Sequence, residues 1–87
     1  MSDIASHGDS AIAPARAPFP ILPSDTERLP RTTKAIYVGT GGAVTLRGID
    51  GAADVTYRNV PGGSYLEVCA AFVRATGTTA ADLVGEA

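Results

Sequence analysis

Apolar and polar positions change rhythm several times along this chain, and each change predicts an element. Ala35-Ile-Tyr-Val38 is apolar without interruption, as a strand covered on both faces would be. Val44-Thr-Leu-Arg47 alternates apolar and polar, the pattern of a half-buried strand. Asp54 to Asn59 alternates again, with Val55 and Tyr57 on one face and Thr56 and Arg58 on the other. Glycine-rich segments separate these runs. Gly39-Thr-Gly-Gly42 reads as a hairpin turn. Gly48-Ile-Asp-Gly-Ala-Ala53 reads as a second turn, built on a type I′ Asp50-Gly51 pair. Pro61-Gly62 marks a third. Ser64 to Ala75 is the longest apolar stretch. Read as one strand, it sets Leu66, Val68, Ala70 and Phe72 on an uncharged face turned to the core. Tyr65, Glu67, Cys69, Ala71 and Val73 then take the other face. A helix is the rival there, because Ala70, Ala71 and Ala75 favour one. Val68, Val73 and the bounding glycines favour the strand. Thr78 to Val84 fits either a helix start at Thr79 or a last short strand.

The first third of the chain breaks this rhythm. Five of the six prolines (Pro14, Pro18, Pro20, Pro23 and Pro30) precede residue 34. Proline fixes φ and removes an amide donor, so no helix interior or central strand runs through them. Residues 1–33 are therefore expected to form an extended arm and residues 34–87 a small β domain. Ala17 to Pro23 should lie close to polyproline II. Ser24 with Glu27 fits a capping box for one helical turn, which Pro30 ends. Phe19, Ile21 and Leu22 are too apolar for a plain linker. They are candidate docking residues, seated either on the chain's own domain or on a neighbour. Some thirty extended residues reach on the order of 100 Å.

Size then bears on association. A core of about 55 residues buries roughly 60% of its unfolded surface and is marginal alone. The lone Cys69 cannot form an internal disulfide, and its apolar surroundings predict a small buried hydrophobe. His7 is the only histidine, so a Cys/His zinc site within one chain is excluded by count. Oligomerisation remains as the expected source of extra stability.

The formal net charge is −2, with no basic stripe of the kind that nucleic acid requires. No apolar run is long enough for a membrane-spanning helix. Met1 to His7 shows neither the basic nor the apolar region of a secretion signal, which points to cytoplasmic synthesis and assembly. Asp50 and Asp54 flank a turn and are expected to be solvated. A Ser/His/Asp triad would have to draw His7 from the arm, where no rigid scaffold holds it. Gly39 to Gly42 lacks the third glycine of a dinucleotide fingerprint, since Val44 stands there. No enzyme, cofactor or metal site is expected. Tyr37, Tyr57 and Tyr65 are expected in the core or an interface, with a sugar-binding platform as the alternative.

Three segments carry a family resemblance. They are Ala35-Ile-Tyr-Val-Gly-Thr40, Val55-Thr-Tyr-Arg-Asn-Val-Pro-Gly-Gly63 and Ala75-Thr-Gly-Thr-Thr-Ala-Ala-Asp-Leu-Val84. Pro23-Ser-Asp-Thr-Glu-Arg-Leu-Pro-Arg31 fits the same pattern. In order and spacing, over about residues 18–84, the chain resembles the head spike base proteins of alphaproteobacterial gene transfer agents, which are phage-like particles. The end departs from that pattern. Val84-Gly-Glu-Ala87 lacks the aromatic residue that closes the last strand in relatives.

The strand and turn pattern predicts an all-β fold, a small antiparallel β-sandwich or barrel-like domain with an extended proline-rich arm. The resemblance implies a structural role on the head surface, at the fivefold vertices of the capsid, with capsid protein and a spike fibre as partners. The fibre would contact the recipient cell. Matching the vertex suggests a pentamer. Neither nucleic acid nor membrane is an expected partner. The alternatives are a carbohydrate-binding β module acting on cell-surface glycans and another head or tail connector of a phage-like particle.

Overall fold

The computed structural model describes residues 14–87, which form an all-β structure of two antiparallel sheets. The strands are β1 (Phe19–Pro20), β2 (Ala35–Thr40), β3 (Gly42–Gly48), β4 (Val55–Val60), β5 (Ser64–Leu66), β6 (Ala70–Val73) and β7 (Ala81–Glu86). One sheet has the order β1-β7-β2-β5 and the other β4-β3-β6. Ile36, Val38 and Leu83 of the first sheet meet Val44, Leu46 and Val73 of the second between the layers. This is the sandwich expected from the alternation.

Glycine at positions 39–42 does something other than close a hairpin. Strands β2 and β3 are consecutive but belong to different sheets, with only Gly41 between them. A side chain at Gly41 would stand 2.7 Å from the Val60 carbonyl oxygen, and one at Gly42 would stand 2.8 Å from the Ala80 amide nitrogen. Bare backbone lets the chain pass between these neighbours and turn the corner from one layer to the other. The hairpin expectation is therefore corrected to a sheet-switching corner.

Strand β3 does form a hairpin with β4, pairing Leu46 with Val55 and Val44 with Tyr57. Its turn is not type I′, because neither Asp50 nor Gly51 has positive φ. The Gly51 amide instead donates to the Gly48 carbonyl at 3.0 Å.

The long run from Ser64 to Ala75 is two strands. Strand β5 lies in the first sheet and β6 in the second. Between them the Val68 amide donates to the Leu66 carbonyl at 3.0 Å, closing a tight local turn. The break resets the alternation. Ala70, Ala71 and Val73 are buried, while Phe72 stays half-buried and pairs with Arg47. The ambiguous residues near the end resolve as strand β7, which pairs with both β1 and β2.

Residues 14–33 strap the sandwich along one side. The Ile21 amide donates to Leu83 of the first sheet, and Ser24 and Leu29 donate to Val73 and Ala71 of the second. Ser24 caps no helix. Its hydroxyl accepts from the Thr26 and Glu27 amides in an open turn. Thr33 is 1% exposed, and its hydroxyl donates to the Val68 carbonyl at 2.7 Å. It also accepts from the Ala70 amide at 3.0 Å, so the strap fixes the β5–β6 break.

Candidate functional site

The three anchor candidates separate once the strap is in place. Phe19 packs against the core from β1, its ring filling the space where a side chain at Gly85 would stand. Ile21 is in the core at 5% exposure. Leu22, one residue on, is 83% exposed. Extended chain alternates its side chains, so Ile21 and Leu22 cannot share a surface. For Phe19 and Ile21 the seat is the chain's own domain. Leu22 alone is offered outward. It borders a groove of about 330 Å³ with Pro20, Pro23, Arg28, Leu29 and Pro30.

Next to this groove, on the outer face of the second sheet, three arginines gather around one aromatic ring. The guanidinium carbons of Arg74, Arg47 and Arg28 lie 4.2, 4.6 and 5.5 Å from the Phe72 ring centroid. Arg47 and Phe72 are cross-strand partners, Arg74 follows Phe72 by two residues, and Arg28 arrives from the strap. Stacking on the negative face of a ring draws cations together at modest cost. Arg74 Nε donates to both Asp54 oxygens, at 3.1 and 3.2 Å, and its Nη1 donates to the Asp25 carbonyl. The side chains of Arg28 and Arg47 make no hydrogen bond to any described residue, and Arg47 Nε is buried without an acceptor.

Asp25 secures the strap beside this cluster. Its carboxylate accepts from the Thr76 amide at 2.9 Å and from the Thr76 hydroxyl at 2.8 Å. Those bonds, led by the amide, hold its pKa below the ordinary 3.8, with Arg74 adding to the effect. A depressed carboxylate contributes stability above pH 3.8, and the contribution is lost as pH falls through the lower folded value. Asp25→Asn is therefore expected to be less stable than the parent chain at neutral pH. The difference should close as pH falls below 3.8, read by urea denaturation at both ends of that range. A gap that stays constant with pH would refute the assignment.

The tyrosines all lie outside the chain's own core, which corrects the core half of the core-or-interface expectation. Tyr37 and Tyr65 are partners across β2 and β5 and meet edge to face, with centroids 5.2 Å apart. Tyr65 is 58% exposed. Tyr57 and Val55 lie exposed on β4, which has a neighbour on only one side and five of its six residues exposed. Cys69 is exposed rather than buried, because it falls in the β5–β6 break. Of the two turn carboxylates, Asp54 is ion-paired with Arg74. His7 lies outside the described residues. Among the described residues no three His, Cys, Asp or Glu side chains gather as metal ligands.

The chain is similar to a solved chain in the capsid of a native gene transfer agent (GTA) particle, computed with C5 symmetry. The two are 42% identical, the match covers 98% of each chain, and the TM-score is 0.80. No family model and no curated protein matches. Identity at that level over nearly the full length of both chains reflects common descent as well as a common fold, and this chain belongs to the family of gene transfer agent capsid-particle proteins.

Proposed function

We propose that this protein is a structural, non-catalytic component of a phage-like gene transfer agent, forming the base of a head spike at the capsid vertices. There it anchors a fibre that contacts the recipient cell. The observation that carries this reading is the 42% identity over 98% of a chain from a GTA capsid resolved with C5 symmetry. Fivefold symmetry suits a vertex ring, in which identical subunits meet through heterologous head-to-tail contacts. Five copies would present several weak fibre contacts at once, so effective concentration would replace single-site affinity. The particle is assembled in the bacterial cytoplasm, and the protein ends on the head surface.

Imaging of particles bearing a tagged copy tests this reading. The tag is expected at the fivefold vertices, and deletion of the gene should strip both base and fibre from them. A tag on the tail would make the protein a connector instead. One observation favours a second reading, a glycan-binding module: the exposed Tyr65 against Tyr37 offers an aromatic platform. Binding of recipient surface polysaccharide by the isolated protein, without fibre, would support it.

A further inference from the structure

We infer that the Arg28, Arg47 and Arg74 cluster, together with the adjoining proline–leucine groove, is a docking site for a partner protein segment. That segment carries acidic side chains beside an apolar one.

The charge comes first. Three guanidiniums surround one ring, and among the described residues the single carboxylate bonded to them is Asp54, on Arg74. Among the described residues the charges on Arg28 and Arg47 have no carboxylate bonded to them. A guanidinium has five N–H donors in a fixed fork that matches a carboxylate, and Arg28 and Arg47 use none of theirs on described residues. Arg47 Nε is the acute case, because it is a buried donor without an acceptor. An incoming carboxylate neutralises the charge on Arg28 and on the Arg47 guanidinium beside it.

The groove then narrows the ligand class. Arg28 belongs to both features, since it approaches Phe72 and also lines the groove. The rest of the wall is Pro20, Leu22, Pro23, Leu29 and Pro30, with Ser24 and Glu27 as its polar members, so the apolar side chain of the ligand, and not a second carboxylate, belongs in the groove. A space of about 330 Å³ takes one or two apolar side chains. A free anion leaves it empty, and so does an acidic sugar. A peptide segment fills both features, placing a carboxylate on the arginines and an apolar side chain in the groove.

The test uses the full chain labelled with ¹⁵N, following the Arg47 Nε–H signal during titration. The probes are acetyl-Glu-Leu-Glu amide, its Gln-Leu-Gln and Glu-Ser-Glu counterparts, and a galacturonic acid hexamer. The Glu-Leu-Glu peptide is expected to move the Arg47 signal and to bind about tenfold more tightly than the other three probes. Arg28→Ala and Leu22→Ser, both at exposed positions, should each weaken it severalfold while leaving the melting temperature unchanged. No movement of the Arg47 signal would overturn the inference. So would equal binding of either control peptide, tighter binding of the uronate, or wild-type affinity in both variants. All of this is read on the isolated chain, so it stands or falls apart from the protein's position on the particle.

Discussion

A chain carrying both Ile21→Ala and Leu29→Ala is expected to lose its cooperative unfolding transition at room temperature. Both side chains sit in the core, at 5% and 8% exposure, although both come from the proline-rich strap. Truncating a buried Ile or Leu to Ala costs about 2–5 kcal/mol, so the pair removes about 4–10 kcal/mol. A domain of this length has about 4–13 kcal/mol in total. Leu22→Ala is the matched control, because Leu22 is 83% exposed and its loss should fall within about 0.5 kcal/mol. Far-ultraviolet circular dichroism against urea reads all three chains. A double variant with the parent's midpoint would mean that the strap rests on the sandwich without belonging to its core. The expected result also bears on truncation. Removing residues 1–31 deletes core side chains and the backbone bonds to β6 and β7, so lost particle binding after that deletion would report unfolding.

Thr33→Val is expected to cost about 3 kcal/mol, although the two side chains have nearly the same shape. The valine methyl cannot donate to the Val68 carbonyl or accept from the Ala70 amide. Ala70 is fully buried, so no water reaches its freed amide. Each such loss costs about 1–3 kcal/mol. Thr33→Ser keeps both bonds and gives up one methyl, which is worth about 1 kcal/mol. Denaturant melts should therefore rank parent, Ser and Val in that order. The Ala70 amide should also exchange hydrogen faster in the Val chain. A Val variant within 1 kcal/mol of the parent would show that the hydroxyl is not what holds the β5–β6 break.

These positions also explain what the sequence could and could not convey. The runs at 35–38, 44–47 and 54–59 were legible as strands because β-branched and aromatic residues gather there between glycines, unbroken in the first run and alternating with polar residues in the other two. Their division between two sheets was not, because the same alternation serves a hairpin and a corner. Only the approach of Val60 and Ala80 to Gly41 and Gly42 decides between them. The break at Glu67 to Cys69 was hidden because Thr33, which fixes it, lies 35 residues from Val68 in sequence. Phe19, Ile21 and Leu22 stood out as apolar anchors, but where each one points depends on the pairing of β1 with β7. The arginine cluster left little local trace, since its three arginines come from three separate segments. The spacing of Phe72 and Arg74 gives part of it. The register that sets Arg47 beside Phe72 exists only in the folded sheet.

The position of β7 sets a timetable for the newborn chain. It follows the other six described strands in sequence, yet it lies between β1 and β2 in the first sheet. Until Ala81 to Glu86 have left the ribosome, β1 has no strand to pair with and β2 has only β5. Folding of that layer therefore waits for β7, and the pairing of β1 with β7 is the kind of distant contact that slows folding. During that wait the second sheet can already form its β3–β4 hairpin, with Val55 and Tyr57 uncovered, and that is when the nascent protein is most open to association with the wrong neighbour.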